Sequence, residues 1–315
     1  MNIKRDLMKV YYEVPENRGL FKAPVITIGN FDGVHLGHKQ ILATLITRAQ
    51  HHSGTSFVLT FRNHPRTVIH PGAICRMITT VEEKQKYLFE SGIENIIMLD
   101  FTRELSRLSA REFYNDLLIE KLGVQEIVIG YDHAFGKNRE GDIDFLNNLS
   151  AETGVVITRV KAETLDGETI SSTILRKEID SGNMRKVENL LGRHYSLTGR
   201  VVQGEGRGKN LGFPTANILP DYEDKMIPGY GVYAVKVFMN NSIYSGMLNI
   251  GNNPTFGLKK RSIEVNILDF VGEVYGEKIT VEFIQRIRDE IKFESPEALV
   301  EQIKKDEAEA REILI

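Results

Sequence analysis

A short stretch near the N-terminus combines residue types that can stabilise a reacting phosphate. It reads G-N-F-D-G-V-H-L-G-H at residues 29–38 and places His35 and His38 three residues apart. An apolar run precedes it and a helix-patterned segment follows it. A glycine-rich turn between a strand and a helix N-terminus presents backbone N–H groups to an anion. The two histidines add donors for a phosphate that gains charge during reaction, so we expect a site of nucleotidyl transfer.

Three further loops with polar side chains follow predicted strands. They read T-F-R-N-H-P at residues 60–65, G-Y-D-H-A-F-G at 130–136 and I-S-S-T-I-L-R at 170–176. The last loop places Ser172, Thr173 and Arg176 at a helix start, where they suit a pair of β- and γ-phosphates. An ordinary N-cap with a surface arginine is the alternative for this loop, and a structural turn is the alternative for residues 60–65.

The first half alternates short apolar runs with helical patterns. Strands are predicted at residues 25–29, 56–61, 95–101, 126–130 and 155–160. Helices are predicted at residues 38–51, 80–91, 109–123 and 143–153. This alternation predicts a Rossmann-like α/β domain, a parallel sheet with helices on both faces. Ligands of such sheets bind at the carboxyl ends of the strands, where the histidine turn lies.

The pattern changes near residue 182. A short helix is predicted at residues 184–191, and after it consecutive strands follow one another with little helix between them. The strands are predicted at residues 195–203, 231–239, 242–250, 263–270 and 278–287, with a hairpin turn at Asn240-Asn241. We predict a small antiparallel barrel, followed by a last helix with Ser295 as its N-cap and Pro296 at its first position. The predicted domains are therefore residues 1–182 and 183–315.

The second half contains a glycine-rich stretch, G-E-G-R-G-K-N-L-G-F-P-T-A-N at residues 204–217. Gly206, Gly208 and Gly212 allow backbone to approach a ligand closely, and Lys209 adds positive charge for a polyphosphate. The spacing matches neither a Walker loop nor a Rossmann fingerprint. A mobile surface loop is the alternative reading.

Three oxygen-bearing side chains of the second half suit phosphate chemistry. Thr215 and Asn217 alternate and project to one face of a strand, where their oxygens suit a magnesium-bound phosphate. Glu264 lies on another predicted strand and is a candidate general base toward an alcohol that attacks a γ-phosphate. A solvated strand face is the alternative for Glu264.

The motifs of the first half resemble the adenylyltransferase half of bacterial bifunctional riboflavin kinase/FAD synthetases. The resemblance implies a nucleotidyltransferase fold and attack of the FMN phosphate on the α-phosphorus of ATP, which forms FAD and releases pyrophosphate. It assigns the flavin side to His64 and Pro65. Asn63 and His133 depart from the family pattern. The residues that it assigns to ATP and its phosphates are Gly29, Phe31, Asp32, His35, His38, Asp132, Ser172, Thr173 and Arg176.

The second half resembles riboflavin kinase. The matching segments are G-R-G-K-N-L-G-F-P-T-A-N, N-I-G-N-N-P-T-F-G and I-E-V-N-I-L-D-F. The resemblance implies a six-stranded barrel, with Glu264 as the base and a Mg²⁺ site at Thr215 and Asn217. It also implies an ATP and flavin site, which includes Gly206, Gly208, Lys209 and Gly212. We therefore predict a bifunctional enzyme that converts riboflavin to FMN and FMN to FAD with ATP and Mg²⁺.

Composition narrows the range of partners. The 315 residues carry a net charge of −3, which disfavours a general nucleic-acid binder. The single cysteine, Cys75, permits no internal disulfide and fits a reducing compartment. No apolar run approaches membrane-spanning length, and the N-terminus has no signal-peptide pattern. We predict a cytoplasmic protein with small-molecule substrates and no nucleic-acid or membrane partner; the oligomeric state stays open.

Three other functions fit part of the pattern. An adenylyltransferase for another phosphorylated cofactor precursor would share the first half. An RNA-linked protein is a second option, because H-x-G-H turns occur in class I aminoacyl-tRNA synthetases, but no K-M-S-K-S-like segment is present. A flavin-binding regulator without activity would not need Glu264, His35 and His38.

Overall fold

A computed structural model of the chain describes residues 8–16, 19–72, 74–137, 140–204, 208, 211–253 and 260–315, apart from the side chains of residues 252, 253 and 260. The α-carbons cluster into two compact units, Met1–Ser172 and Thr173–Ile315. The boundary predicted between residues 182 and 183 stays a prediction.

The first unit is built on a parallel sheet of six strands. They are Lys9–Tyr11 (β1), Val25–Ile28 (β2), Ser56–Phe61 (β3), Asn95–Leu99 (β4), Glu126–Ile129 (β5) and Val156–Arg159 (β6). Their order in the sheet is β1-β4-β3-β2-β5-β6, so β2 and the turn after it lie near the centre. Five strands were predicted. The edge strand β1 was not, because its three residues carry too little pattern. A small hairpin, Thr164–Leu165 (β7) and Glu168–Thr169 (β8), follows.

Helices connect the strands of this unit. They are Leu36–His51 (α1), Pro65–Ile69 (α2), Val81–Glu90 (α3), Arg103–Arg107 (α4), Ala110–Glu112 (α5) and Ile143–Thr153 (α6). The predicted helix at residues 109–123 begins at the expected capping box of Ser109 and Glu112, but α5 continues as π-helical turns over Phe113–Leu122. The short helices α2 and α4 were not predicted, because five residues are too few to show a helical period.

Side chains on the two faces of the sheet form separate cores. Val25, Val58 and Ile96 pack with Leu42 and Leu45 of α1. The neighbouring residues Ile26, Phe57 and Ile97 pack with Tyr114 and Leu118 of the π-helical segment. Successive strand residues point to opposite faces, so both faces of the sheet are covered and the predicted doubly wound architecture is confirmed.

The second unit contains the helix Ser172–Ser181 (α7) from its second residue onward, then the helix Met184–Leu191 (α8) and a barrel. The strands are Tyr195–Val202 (β9), Ala216–Pro220 (β10), Gly231–Met239 (β11), Ser242–Asn253 (β12), Lys260–Ile267 (β13) and Lys278–Arg288 (β14). They close in the order β10-β13-β12-β11-β14-β9 with antiparallel pairing, so the six-stranded barrel is confirmed. Asn240 and Asn241 have φ values of 48° and 62° at the predicted hairpin turn.

The last helix, Pro296–Ile313 (α9), begins at Ser295 as predicted. It contacts β11, β12 and β14. Ala310 packs there with Val232, Ala234 and Met247. The helix therefore covers the side of the barrel that β11, β12 and β14 form.

Candidate active sites

The turn between β2 and α1 has an unusual backbone. Phe31, Gly33 and Val34 have φ values of 50°, 88° and 39°. Glycine adopts this region freely, but the two other residues do so at a cost of roughly 1–3 kcal/mol each. Such a conformation persists only when the surrounding contacts fix it, and it occurs most often at functional sites.

The turn delivers both histidines to the N-terminus of α1. His35 is the N-cap, and its Nδ1 accepts a hydrogen bond from the backbone N–H of His38 over 3.2 Å. When His35 is neutral, its proton therefore resides on Nε2, which makes that nitrogen a donor. The His35 and His38 rings stack at 3.6 Å between centroids. A β-carbon at Gly37 would lie 3.3 Å from the His35 ring, so glycine leaves room for this arrangement.

Other predicted residues support the same turn from within the first unit. Phe31 is buried, and its ring centroid lies 5.0 Å from that of His38. The Ser172 hydroxyl donates to the backbone oxygen of Asp32 over 2.9 Å. The buried Asp32 carboxylate accepts hydrogen bonds from the backbone of Ile78 and Thr79. Its role as a direct ATP ligand stays a prediction, whereas its support of the turn is visible in these contacts.

A buried lysine lies beside this network. Lys84 of α3 is fully buried, and its Nζ donates to the backbone oxygen of Phe61 over 2.8 Å. Burial lowers the pKa of Lys84 to about 8, and the negative charge of Asp32 opposes that shift. The ammonium form is therefore retained near neutral pH.

A cleft of about 840 Å³ begins where the turn begins. Gly29 and Asn30 form part of its wall. Four phenylalanines line it: Phe61, Phe101, Phe113 and Phe135. Three basic residues line it as well: Arg103, Arg107 and Lys137. The volume and the aromatic lining suit a planar organic ligand with a negatively charged end.

The two residues predicted on the flavin side differ in their position relative to the cleft. Pro65 lines the cleft, whereas His64 is the N-cap of α2 and accepts from the backbone N–H of Arg66 over 3.1 Å. Asn63, which departs from the family pattern, exchanges hydrogen bonds of 2.9 and 2.8 Å with the backbone of Phe101. This exchange holds the start of the loop after β4 against the loop after β3, so Asn63 shapes the cleft wall.

Three of the residues predicted to bind ATP are far from the turn in the sequence. Asp132 is exposed in the loop after β5 and is not among the residues that line the cleft. Thr173 and Arg176 lie in α7 and belong to the second unit. Their roles in ATP binding stay predictions.

The second candidate site lies on neighbouring strands of the barrel. Asn217 of β10 and Glu264 of β13 are directly paired. The Thr215 hydroxyl, one residue before β10, donates to Oε2 of Glu264 over 3.3 Å. Asn266, two residues beyond Glu264, donates its side-chain N–H to the Pro214 backbone oxygen over 2.7 Å. Three predicted side chains, Thr215, Asn217 and Glu264, therefore converge, and Asn266 anchors the approach to them.

The glycine-rich stretch is described in part. A β-carbon on Gly208 would lie 2.3 Å from the backbone oxygen of Phe213 and 3.3 Å from Oγ1 of Thr215, so this close approach requires glycine. Gly212 has a φ of 83°. Gly206 and Lys209 lie outside the described residues. A cavity of about 160 Å³ next to Thr215 is bordered by Val265, Phe270 and Tyr275, among others.

The donor set of the barrel site fits magnesium better than a tightly caged transition metal. Thr215, Asn217 and Glu264 offer hydroxyl, amide and carboxylate oxygens, and Mg²⁺ prefers oxygen ligands. Within the described part of the chain, no group of three or more His, Cys, Asp or Glu side chains could hold a metal by itself. Mg²⁺ typically binds through one or two protein groups together with substrate phosphates, which this set allows.

Each half of the chain matches the model of one enzyme family. The FAD synthetase family model matches residues 20–174, and the riboflavin kinase family model matches residues 191–314. The bifunctional riboflavin kinase/FMN adenylyltransferase of Pseudomonas fluorescens is 38% identical over 298 residues, 94% of each chain. The chain belongs to the bifunctional riboflavin kinase/FMN adenylyltransferase family. The protein of that name from Escherichia coli K12 is 36% identical over 91% of this chain and 92% of its own. The predicted family, enzyme class and order of the two enzyme domains are confirmed.

A solved structure shares the architecture of this family member. The crystal structure of a Streptococcus pneumoniae protein named macrolide-efflux protein matches with a TM-score of 0.86 and 30% identity, over 97% of this chain and 99% of that one. Across the described residues, no helix combines the length and the apolar character needed to cross a bilayer.

Gly29 and Pro65 of the cleft were predicted site residues, whereas Lys84, Thr79 and the four phenylalanines of the cleft were not. Lys84 lies within a helical pattern in which a lysine normally indicates the solvent face. Phe101 was assigned only to the end of a strand, and Phe61 to a strand end and to the loop at residues 60–65 without a role of its own. Their place at the carboxyl ends of adjacent strands β3 and β4 was the available signal, because such ends meet at one edge of a sheet.

Proposed function

We propose that the two activities of this family reside at the two sites described above, FMN adenylylation at the histidine turn and riboflavin phosphorylation at Glu264. The observation that carries the first assignment is the stacked pair of His35 and His38 at a helix N-terminus, on a turn whose first residues, Gly29 and Asn30, line an aromatic cleft. The observation that carries the second is the convergence of Thr215 and Glu264 on adjacent segments of the barrel.

In the first reaction the flavin ring of FMN occupies the cleft, stacked among phenylalanines. Its phosphate then lies toward Gly29 and Asn30, where cleft and turn meet. A phosphate oxygen of FMN attacks the α-phosphorus of ATP. The bond between this phosphorus and the oxygen that joins it to the β-phosphorus breaks, and pyrophosphate leaves with the bonding electron pair. The phosphate monoester is mostly dianionic at neutral pH and needs no strong base. The protein contributes position and charge stabilisation, from the helix N-terminus, His35 and His38.

In the second reaction the terminal ribityl hydroxyl of riboflavin attacks the γ-phosphorus of ATP. Glu264 accepts the hydroxyl proton, and ADP leaves with the electron pair of the broken bond. The Thr215 hydroxyl, which donates to Glu264, keeps the carboxylate oriented in the resting protein. Thr215 and Asn217 would hold Mg²⁺, which neutralises charge on the transferring phosphoryl group when bound. The substrates are small molecules, and the lone Cys75 suits the cytoplasmic location that is part of this proposal.

Incubation of the protein with riboflavin, ATP and Mg²⁺, followed by chromatographic separation of flavins, tests the proposal. We expect FMN to form first and FAD to follow, and chelation of Mg²⁺ to stop both. FMN supplied in place of riboflavin should yield FAD and pyrophosphate directly. If ATP consumption does not depend on flavin, or if FMN accumulates without FAD, the corresponding assignment is wrong.

A further inference from the structure

The strained turn at Phe31–Val34 needs a support that fixes it, and Asp32 supplies one. The Asp32 carboxylate accepts from the backbone N–H of Ile78 at 3.0 and 3.2 Å and from that of Thr79 at 3.0 Å. The Thr79 hydroxyl donates to the same carboxylate over 3.2 Å and accepts from the Gly33 backbone N–H over 3.1 Å. Each of these bonds ties the turn to the segment that leads into α3.

The support carries a buried negative charge that requires compensation. Asp32 is 1% exposed, and an isolated ionised carboxylate is costly in such a place. Lys84 brings a positive charge into the same interior, with none of its surface exposed. The Asp32 charge favours the ammonium form of Lys84. Helix α3 therefore contributes to both groups: the residues just before it, Ile78 and Thr79, bond to the Asp32 carboxylate, and its own Lys84 lies buried within reach of the field of that carboxylate.

Lys84 is also bound to the other side of the site. Its Nζ donates to the backbone oxygen of Phe61, the last residue of β3. The Phe61 side chain lines the cleft, and its ring meets that of Phe101 edge to face at 5.1 Å. The adjacent Thr60 hydroxyl donates to the Asn30 backbone oxygen over 3.0 Å, at the start of the turn. Helix α3 thus connects the two sides of the site: Ile78 and Thr79, just before it, hold the turn, and its Lys84 ammonium holds the end of the strand that forms the cleft wall.

We infer that Lys84 is a positioning residue for adenylyl transfer, which holds the cleft wall at Phe61 and the Asp32-supported histidine turn at a fixed separation. In-line attack requires the phosphate of one substrate to lie about 3–3.5 Å from the phosphorus of the other. A misplacement of about 1 Å costs on the order of 100-fold in rate. Lys84 touches neither substrate and acts through Phe61 and Asp32. This inference rests on the proposed adenylyltransferase function of the first unit.

The test uses Lys84→Met in the full-length protein, which removes the charge and keeps most of the side-chain length. Lys86→Met is the matched control, because Lys86 lies two residues along the same helix and is half exposed, with a 3.9 Å surface pair to Glu90 and an approach of 5.5 Å to the centroid of the Tyr87 ring. FAD formation from FMN and ATP is measured at saturating substrates, together with both KM values. Riboflavin phosphorylation in the same samples is an internal control of protein quality.

We expect kcat for FAD formation to fall about 10- to 100-fold in Lys84→Met, with KM values within about threefold of the parent and riboflavin phosphorylation unchanged. Lys86→Met should match the parent.

A purely structural role would give a different pattern. Lost turnover that comes from partial unfolding recovers at low temperature and with trimethylamine N-oxide, which favours the folded state. A loss that comes from misplacement persists under both conditions while the thermal transition of the variant is intact. If kcat of folded Lys84→Met stays within twofold of the parent, or recovers fully with the osmolyte, the positioning role is wrong. It is also withdrawn if the variant cannot be folded under any of these conditions. Absence of FAD formation in the parent would instead refute the proposed function.

Discussion

The Thr215 hydroxyl donates a hydrogen bond to Oε2 of Glu264 over 3.3 Å, from a segment 49 residues away along the chain. Glu264 faces Asn217 across the paired strands β10 and β13. The carboxylate is therefore oriented by the same segment that carries the proposed Mg²⁺ ligands. This relationship favours the proposed role of Glu264 as a base over an ordinary solvated strand face, because it joins three oxygen-bearing residues of two motifs at one place.

Glu264→Gln should slow riboflavin phosphorylation about 10²- to 10⁴-fold, the usual loss when a general base is removed. The amide keeps the size of the side chain but cannot accept the hydroxyl proton. FMN adenylylation, measured in the same protein, should stay at the parent rate. Glu282→Gln, on β14, is the control for a neutralised carboxylate on another barrel strand. Kinase turnover within a few-fold of the parent would mean that Glu264 is a surface carboxylate.

His38→Ala should have the opposite effect, because its ring stacks on His35 at the N-terminus of α1. Loss of a donor to the transition state costs about 10²- to 10³-fold in kcat. FAD formation should fall by that factor, and riboflavin phosphorylation should persist. His51→Ala, at the exposed opposite end of the same helix, provides the comparison. Equal FAD synthesis in both variants would show that the turn binds something other than a reacting phosphate.

Much of the fold follows from local sequence signals. The helices at residues 143–153 and 184–191 and the strand at 231–239 lie within the predicted bounds, because their ends are marked by residues with a definite conformation. Gly154 and Gly192, for example, end their helices with φ values of 76° and 65°. The strand β1 was missed because its stability comes from pairing with β4, more than 80 residues later in the chain.

The contacts that support the proposed adenylyltransferase site could not be predicted from the sequence for a related reason. Asp32 lies in a motif typical of phosphate binding, and the motif gives no indication that its carboxylate bonds to Ile78 and Thr79. Lys84 lies in a helical pattern with charged neighbours, and only the packed structure shows that it is buried. Contacts between residues far apart in sequence decide these roles, and one sequence contains no record of them.

Isolated fragments should show whether the boundary between the two halves lies after residue 172 or after residue 182. The backbone N–H of Gly229 donates to the Ile179 oxygen over 3.1 Å, and the Arg286 guanidinium donates to the Ser181 oxygen over 3.1 Å. A fragment of residues 173–315 keeps these contacts, whereas a fragment of residues 183–315 loses them. Two net hydrogen bonds contribute about 1–3 kcal/mol, which corresponds to a midpoint roughly 5 °C or more lower for the shorter fragment.

Both fragments should phosphorylate riboflavin at a temperature well below their transitions, and neither should make FAD. Thermal melts followed by circular dichroism give the midpoints, and the flavin chromatography described above gives the activities. Equal midpoints would support the boundary at residue 182. A folded longer fragment without kinase activity would show that the kinase needs residues of the first unit, contrary to the proposed assignment of one activity to each unit.

Alkaline pH should move the stability and the adenylyltransferase activity in opposite directions through Lys84. Burial lowers the pKa of Lys84 from 10.5 to about 8, so below pH 8 both the folded and the unfolded chain carry the proton. Between about pH 8 and 10.5 the folded chain releases it and the unfolded chain keeps it, so a rise in pH favours the folded state over this window. From about pH 7 to 10, the free energy of unfolding of the parent should therefore rise by roughly 2 kcal/mol relative to that of Lys84→Met. Tyrosines and other groups titrate in both proteins and cancel in the difference.

Over the same window kcat for FAD formation should fall in the parent, because a neutral Lys84 no longer balances the charge of Asp32 near the histidine turn. Denaturant unfolding at matched pH values gives the first quantity and flavin chromatography the second. A constant difference in stability across the window would mean that Lys84 titrates normally and is not buried as described.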